Sequence, residues 1–516
     1  MRTAFQVPSA ALAALTLGLA LTLAGCGTTV TQGALSSSDA SSGLSLGLDG
    51  STATTDTAVG GASQLSSLGE QSANSNAAVA STVADGSSST SLPAASTKLS
   101  RPTVTVGITY AKPAGAGFAA IGAAGLTLGD QLAFANAVVA DANAHRGLGG
   151  RKILPVFFGF DANPGAAPIP QQEQQACAFF TEDHHVEFVM GLGGANMIAC
   201  LSKRGVTYVS EGSSTSSVAS TFLRNPTHFE LSGFNLDRRA STQVNALVRE
   251  GYFAKWDAVN GGPGVTPVKV GILTYNTPEF SSSARGPLAK ALADAGYKSP
   301  TVVEVSYHDS YDNLGAAQAQ IQGAALRFKS TGVTHVIIWD DNGISTLFFL
   351  SNAESQGYRP RYGINSGNNM QLLVGKKLVN QRQAVGAIGI GWRAVEDVAE
   401  GANRTGKYSN AARRACDRIM TSRGADISQA TAESAALGFC ATMTAIKSRY
   451  DVTTIHTSGA LAKAMDTLGS SYSSPITPAT RIGPGRHDGL DAAYDYLYSA
   501  ACTCMAYRGN PNPLAG

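Results

Sequence analysis

The chain has 516 residues, of which 43% are hydrophobic, so it is too long for one ordinary domain and can bury large cores. Its formal net charge is +2 and only 14% of its residues are charged. This balance gives no electrostatic reason to expect a nucleic acid as a partner.

The chain begins with a segment that is typical of export. Arg2 precedes an apolar stretch over residues 10–24, and Leu23, Ala24 and Gly25 lead into Cys26. A positive start, an apolar core and small residues before a cysteine indicate a secretory signal over residues 1–25. The ending resembles a bacterial lipobox, which implies cleavage before Cys26 and lipid on its sulfur. A transmembrane anchor is the alternative, but the apolar run is short of the ~20 residues that a spanning helix needs.

Residues 26–100 have the composition of a tether. They consist mainly of Ser, Thr, Ala and Gly and contain no aromatic residue. Such a segment cannot bury enough apolar surface to offset the entropy of ordering, so we expect disorder. The same composition also suits a glycosylated stalk.

The first folded unit is predicted after residue 101. Thr103–Tyr110 is a β-branched run that suits a strand, and Leu132, Ala135, Val138 and Ala142 recur with the period of a helix. Gly147, Gly149 and Gly150 end that helix, and the apolar run from Ile153 to Phe160 suits a second, buried strand. Strand, helix and strand form a right-handed parallel crossover.

The residues of this unit carry a resemblance. The letters GDQ at the start of the helix, then ANAHRGLGGRKI, and Asp161 after the second strand resemble the opening of the type I periplasmic substrate-binding proteins. The branched-chain amino-acid (leucine/isoleucine/valine) binding family of ABC transporters is the most similar. The resemblance runs from Arg101 to the C-terminus and implies an α/β fold of two doubly wound lobes joined by three hinge crossings.

Lobe one is predicted to begin with residues 101–231. Its strands at 186–191 and 206–210 both end in small, polar turns, and ligands collect at the carboxyl ends of parallel strands. These turns form the first candidate wall of a ligand site, although two ordinary strand–helix turns would have the same pattern. The candidates are Gly194, Ala195, Asn196, Ser210, Glu211, Gly212 and Ser213. Phe118, in the loop before Gly129, is a candidate lid aromatic.

Lobe two is predicted over residues 232–360. Its strands at 268–275 and 333–339 end at Glu279 and Phe280 and at Asp341 and Asn342, which should face the first wall. Residues 361–478 are predicted to return to lobe one, with Ser366 at the return. Residues 479–516 are predicted to hold the third crossing and a closing strand of lobe two.

Six cysteines remain besides Cys26, and an even number in an exported chain favours disulfides over metal. The resemblance implies the pair Cys177–Cys200. Cys416 and Cys440 would link two consecutive helices, and Cys502 and Cys504 lie on one face of an extended segment and are candidates to pair with each other. A zinc site is the alternative, but no Cys-x-x-Cys or His-x-x-x-His spacing supports it.

The candidate walls depart from the pattern that the resemblance implies. Relatives that bind branched-chain amino acids hold the ligand carboxylate with hydroxyls and N–H groups of lobe one, whereas residues 193–196 of this chain contain no serine. The second turn keeps Ser210 and Ser213 but inserts Glu211. The sequence is therefore open to a more polar or larger solute than an α-amino acid.

Taken together, these features predict a lipid-anchored, extracytoplasmic solute-binding protein that closes on a small polar ligand, such as an amino acid or amide, and docks on an ABC permease. A surface sensor or envelope interaction protein on the same scaffold is the alternative. Beyond residue 100, where the folded units are predicted, the sequence has no Gly-x-Ser-x-Gly, P-loop or His-Glu-x-x-His motif. We therefore predict a monomeric protein that is not an enzyme and uses no metal or cofactor.

Overall fold

The computed structural model describes residues 102–120, 122–211, 217–306, 314–455 and 457–514. The predicted signal segment, the tether and Cys26 lie outside these ranges, as do Gly212 and Ser213. Within the described residues, no helix has the length and apolarity that crossing a bilayer requires.

The first lobe is built on a parallel sheet of five strands in the order β2-β1-β3-β4-β5. Its strands are β1 (Thr103–Ala111), β2 (Lys152–Phe160), β3 (Phe188–Gly191), β4 (Thr207–Ser210) and β5 (His228–Glu230). The helices between them are α1 (Gly115–Ala120), α2 (Gln131–Ala144), α3 (Ile169–Ala178), continued by a π-helical turn (Phe179–Asp183), α4 (Ala195–Lys203) and α5 (Ala219–Arg224).

The predicted opening unit folds as its local signals require. Asp130 caps α2 by accepting a hydrogen bond from the backbone N–H of Ala133 at 2.9 Å. Gly147 ends the helix with φ 62°, and a Cβ there would lie 1.9 Å from the carbonyl oxygen of Arg151. Only glycine fits this turn, which brings the chain directly into β2.

The second lobe is built on a sheet of seven strands in the order β14-β13-β12-β11-β10-β8-β9. Five of its strands precede the second crossing: β8 (Val270–Tyr275), β9 (Thr301–Val305), β10 (His335–Trp339), β11 (Arg361–Asn365) and β12 (Ile388–Gly391). A small separate hairpin consists of β6 (Trp256–Asp257) and β7 (Gly262–Pro263). The helices are α6 (Leu236–Arg249), α7 (Pro278–Ser283), continued by a π-helical turn (Ala284–Leu288), α8 (Ala289–Asp294), α9 (Leu314–Ser330), α10 (Ile344–Ser355) and α11 (Met370–Gly375), with 3-10 turns at Ser366–Asn368 and Gln381–Ala384.

The chain then passes through α12 (Ala394–Asp397), two 3-10 turns (Ala402–Arg404 and Gly406–Tyr408), α13 (Ala411–Ser422), α14 (Ala430–Tyr450) and α15 (Ser458–Met465) before β13 (Ala492–Ser499) and β14 (Cys504–Pro513). Helices α13 to α15 pack on the core of the first lobe together with α2. Strands β13 and β14 close the second sheet in antiparallel pairing.

The structure corrects the boundary at residue 361. β11 pairs in parallel with β10, and β12 pairs with β11, so both belong to the second sheet. The prediction that the chain returns to lobe one at residue 361 is therefore wrong, and the return follows Gly391. Local patterns could not reveal this, because a buried parallel strand looks the same in either sheet.

Three crossings join the lobes, as the fold class predicted: after Leu231, after Gly391 and before Ala492. The first and third run side by side. Asp488 is almost fully buried, and its Oδ2 accepts hydrogen bonds from the backbone N–H and the Nδ2 of Asn235 at 3.1 and 2.8 Å. The same oxygen accepts from Nη1 of Arg238 at 2.6 Å. A single carboxylate thus ties two crossings together.

Disulfides connect three pairs of neighbouring segments in the structure. Cys177–Cys200 joins α3 to α4, and Cys416–Cys440 joins α13 to α14. Cys502–Cys504 closes the turn between β13 and β14. The first pair is the one that the family resemblance implies.

Candidate functional site

A cavity of about 570 Å³ lies between the two lobes. It opens where β3 and β4 of the first sheet and β10 and β12 of the second sheet end, which is where ligands collect in open parallel sheets. Its volume lies within the ~300–1,000 Å³ that is typical of small-molecule sites.

Much of the cavity wall is apolar. Leucines come from the loop before α2 and from α10 and α11, and aromatic rings come from α1 and α14. Representative members of this wall are Phe118, Leu126, Leu128, Leu347, Leu372 and Phe439.

Glu211 supplies the acidic group of the first lobe. It follows β4 directly, lines the cavity and is only 8% exposed. Helix α14 packs against Glu211 at Gly438, which has no side chain. A Cβ at this position would lie 3.0 Å from Cγ of Glu211. Gln131, at the start of α2, lies in the same wall, and its Oε1 accepts a hydrogen bond from the backbone N–H of Ala111 at 2.8 Å.

Two adjacent aspartates follow β10 and have different surroundings. Asp340 points into the protein, where its Oδ2 accepts hydrogen bonds from the backbone N–H and hydroxyl of Thr346 at 3.2 and 3.0 Å, and its Oδ1 accepts from Nδ2 of Asn368 at 2.5 Å. Burial, and next the charge of Asp341, raise the pKa of Asp340 to about 7. Asp341 and Asn342 instead line the cavity.

Arg393 lies at the inner wall, two residues beyond β12, and is 7% exposed. Its Nη2 donates to the carbonyl oxygen of Ser366 at 3.0 Å, and its Nη1 lies 3.2 Å from Oε2 of Glu396. Behind it, the Ser366 hydroxyl donates to Oδ2 of Asp397 at 2.5 Å. Burial raises the pKa of Asp397 to about 6, although the charge of Arg393 opposes this shift.

A second buried cation lies between the hinge and lobe two. The guanidinium of Arg239, on α6, is 4.3 Å from the ring centre of Trp339, a distance that gives a cation–π contact. Burial lowers the pKa of Arg239 to about 10, although the charges of Asp341, Asp340 and Glu230 oppose this shift. Arg239 does not line the cavity, and its buried Nε and Nη2 have no hydrogen-bond partner among the described residues.

The N-terminus of α4 is already occupied. Glu173, on α3, is 5% exposed, and its Oε2 accepts a hydrogen bond from the backbone N–H of Asn196 at 3.1 Å. Backbone N–H groups of Gly194 and Met197 also stabilise its charged form, yet burial raises the pKa of Glu173 to about 7. The absence of a side chain on Gly194 leaves room for this carboxylate, because a Cβ there would lie 2.3 Å from its Oε1.

The predicted site residues therefore divide into two groups. Phe118, Glu211, Asp341 and Asn342 come together in the cavity wall. The other candidates that the structure describes do not line the cavity. Gly194 and Asn196 contact Glu173, and Ala195 begins α4. Ser210 is buried beside His228, Phe280 packs on Tyr275, Ser366 donates to Asp397, and Glu279 lies on α7.

Arg393 and Gln131 are wall residues that the sequence prediction missed. Arg393 follows a strand end, which is the same signal that identifies Asp341, but the sequence pattern places that strand in the wrong lobe. Over the ranges that the structure describes, no group of three or more His, Cys, Asp or Glu residues is arranged to hold a metal ion.

Comparisons with known proteins agree with this geometry at the level of the fold. No family model matches the chain, and no curated protein sequence matches it. Solved structures do match. A possible leucine/isoleucine/valine-binding protein from Rhodopirellula baltica SH 1 superposes with a TM-score of 0.54 at 12% identity, covering 80% of this chain and 98% of that one.

Two further matches have different names. A solute-binding protein of an ABC transporter from Rhodopseudomonas palustris HaA2, in complex with p-hydroxybenzoic acid, has a TM-score of 0.56 at 12% identity and covers 80% of this chain and 98% of its own. A fatty acid ABC transporter substrate-binding protein from Thermomonospora curvata has a TM-score of 0.53 at 13% identity, with coverage of 80% and 92%.

These matches are substrate-binding proteins rather than enzymes. The chain has the type I periplasmic-binding-protein fold, which confirms the fold and the resemblance predicted from its opening unit. At this level of identity the likeness defines the fold, and the ligand has to be argued from the cavity.

Proposed function

We propose that this protein is an extracytoplasmic solute-binding protein that closes its two lobes on a small molecule and delivers it to an ABC permease. The observation that carries the proposal is the cavity of about 570 Å³ at the carboxyl ends of both sheets. Three crossings between the lobes allow closure through small dihedral changes in a few hinge residues.

The ligand proposed from the sequence is small and polar, such as an amino acid or amide. The leucines and aromatic rings in the cavity wall widen this class to a solute that carries a polar group on an apolar body. Glu211, Asp341, Asn342 and Phe118 are the contacts that we propose. We also propose a monomer, held at the outer face of the membrane by lipid on Cys26, on the strength of the residues Leu23 to Cys26.

Thermal unfolding of the full chain against amino acids, amides, aromatic acids, amines and sugars tests the proposal. A ligand at 100 times its Kd adds ~2.7 kcal/mol to the free energy of unfolding and therefore raises the Tm. Small-angle scattering with the same ligand should show a smaller radius of gyration, because the lobes close. A panel without any Tm shift would contradict the proposal.

A surface sensor or envelope interaction protein on this scaffold is the second candidate. The long Ser- and Ala-rich stretch over residues 26–100 favours it, because a tether of that length suits a domain that reaches a partner away from the membrane. Genes for a permease and an ATPase next to this one would contradict the sensor, whereas their absence would favour it.

A further inference from the structure

We propose that Gln131 and Gln371 bind the ligand, each donating a side-chain N–H from its own lobe to an acceptor oxygen of the kind that an acyl group carries. The ligand class is an acyl compound with an apolar body, either an acid or an amide. This inference rests on the proposed solute-binding function and names the chemistry that the same cavity recognises.

Gln131 is the first residue of α2 and is only 5% exposed. Its Oε1 accepts a hydrogen bond at 2.8 Å from the backbone N–H of Ala111, at the end of β1. Because a backbone N–H can only donate, this contact fixes the amide with its oxygen toward β1 and its nitrogen away from it. Gln131 lines the cavity, and no described residue accepts a hydrogen bond from its Nε2. This nitrogen is therefore an oriented donor in the wall of lobe one.

Gln371, on α11, has the same arrangement in lobe two. Its Oε1 accepts a hydrogen bond at 2.8 Å from the backbone N–H of Met505, near the start of β14. Gly375 lies one turn further along α11, and a Cβ there would lie 2.9 Å from Nε2 of Gln371, so the missing side chain leaves room for the amide. Gln371 also lines the cavity, and its Nε2 has no acceptor in the part of the chain that the structure describes. Each lobe thus presents one carboxamide whose oxygen is held by a backbone N–H and whose nitrogen can donate to a ligand.

Most other uncharged polar side chains of the wall are used within the protein. The side chains of Asn342, Asn369, Gln429 and Thr431 each make a hydrogen bond to another residue. Ser434, on α14, is the exception: it is 8% exposed and lines the cavity, and its hydroxyl has no hydrogen-bond partner among the described residues. Its O–H is a third donor that an acceptor oxygen of the ligand can satisfy.

The charged side chains of the wall have both signs. Its carboxylates are Glu211, Asp341, Glu396 and Glu400, and its cations are Lys376 and Arg393. Nη1 of Arg393 lies 3.2 Å from the carboxylate of Glu396, and Lys376 is exposed to solvent. An uncharged amide and a carboxylate both offer an acyl oxygen to a carboxamide N–H. The recognition that we infer therefore depends on the acceptor oxygen, and the charge of the acyl group is decided by the titration.

The apolar wall holds the rest of the ligand. Leu126 and Leu128 from lobe one face the same cavity as Ile344, Leu347 and Leu372 from lobe two. An alkyl or aryl group placed between them is removed from water by both lobes. Because the two carboxamides also come from opposite lobes, one acyl compound can contact both lobes through its head group and through its body.

Isothermal titration of the full chain with hexanamide, hexanoate, hexylamine and 1-hexanol, at mildly alkaline pH, tests the inference. One of the two acyl compounds should bind at least tenfold more tightly than hexylamine and 1-hexanol. Gln131→Glu and Gln371→Glu keep the size of the side chain and the oxygen that accepts the backbone N–H, but they replace the donor by a second acceptor. Each should weaken the binding of that acyl compound at least tenfold.

Gln320 offers the matched control. Its Oε1 also accepts a backbone N–H, that of Ser306 at 2.7 Å, but the residue is exposed on α9 and does not line the cavity. Gln320→Glu should bind the acyl compound like the wild type. Circular dichroism of each variant separates a loss of binding from a loss of folding, and the order of the four probes on the wild type tests the ligand class without any variant.

The outcomes separate this inference from the proposed function. If hexylamine or 1-hexanol binds within tenfold of the better acyl compound, or more tightly, the inference is wrong and the solute-binding function stands. If an acyl compound binds and either folded glutamate variant at position 131 or 371 binds it like the wild type, that side chain is not a contact and the inference falls. If none of the four probes binds, the inference is overturned, and the broader thermal-unfolding panel decides the solute-binding function.

Discussion

Glu173 and Asn196 lie 23 residues apart in sequence, and the Oε2 of Glu173 accepts a hydrogen bond from the backbone N–H of Asn196 at 3.1 Å. Through this contact, a carboxylate of α3 satisfies the start of α4, whose N-cap Gly194 has no side chain to do so. The protein thus fills from within a position where anions are readily bound, and the cavity has to select its ligand by other groups.

The first prediction concerns the pH dependence that Glu173 gives to stability. Its pKa is raised from 4.5 to about 7, so between these values the folded protein keeps a proton that the unfolded chain has lost. The contribution of Glu173 to the free energy of unfolding is therefore fully present below pH 4.5, and it falls by about 3 kcal/mol as the pH rises to 7. Glu173→Gln should remove this part of the decline. Urea unfolding at several pH values measures the difference.

Asp340 and Asp397 also have a raised pKa, so the informative quantity is the free energy of unfolding of the wild type minus that of the Glu173→Gln variant. Parallel pH profiles for the two proteins would show that the pKa of Glu173 is the same in the folded and unfolded states, which would contradict the prediction.

The second prediction separates binding from stability at Gly438. Alanine is favoured over glycine within a helix by about 1 kcal/mol, but a Cβ at this position would lie 3.0 Å from Cγ of Glu211. Gly438→Ala should therefore change the free energy of unfolding by less than about 1 kcal/mol. It should also move the Glu211 carboxylate and weaken the binding of the solute that the thermal-unfolding panel identifies. Titration calorimetry and urea unfolding of the same preparation check both parts.

Gly323 offers a matched control, because it lies within α9 and a Cβ there meets no atom of the described residues within 4 Å. Gly323→Ala should stabilise the protein slightly and leave binding unchanged. If the two alanine variants bind the ligand equally well, Glu211 does not contact it.

The third prediction concerns Asp488, whose carboxylate links the first and third crossings by hydrogen bonds to Asn235 and Arg238. Asp488→Ala removes one of the acceptors of Arg238 and the acceptor of both donors of Asn235, so the two buried donors of Asn235 lose this partner. We expect a loss of about 2–4 kcal/mol in the free energy of unfolding and faster amide exchange at Asn235. Asp294→Ala, which breaks an exposed pair with Lys290, should cost less than about 1 kcal/mol. Unchanged exchange at Asn235 would show that the crossings are held elsewhere.

The fourth prediction compares two disulfides. Cys416–Cys440 closes a loop with a sequence separation of 24, whereas Cys502–Cys504 has a separation of 2. Because a disulfide restricts the unfolded chain more when the loop is longer, replacing the first pair by serines should cost about 3 kcal/mol and replacing the second clearly less. Urea unfolding of the two double variants measures this, and equal losses would contradict the expected dependence on loop length.

The sequence by itself determined the local elements and the class of fold. The glycine at 147, the apolar period of α2 and the strand ends at Glu211 and Asp341 depend on neighbouring residues, so they are visible in the chain. Repeated strand–helix units also imply parallel sheets with ligand sites at the carboxyl ends.

The tertiary structure decided which strand joins which sheet and which polar groups satisfy one another. β11 and β12 are apolar strands like those of lobe one, and only their pairing with β10 places them in lobe two. Glu173 looks like an ordinary helix residue in the sequence, and only the fold brings it to the start of α4, where it accepts the hydrogen bond from Asn196. Such long-range contacts depend on packing between distant segments, which local periodicity does not encode.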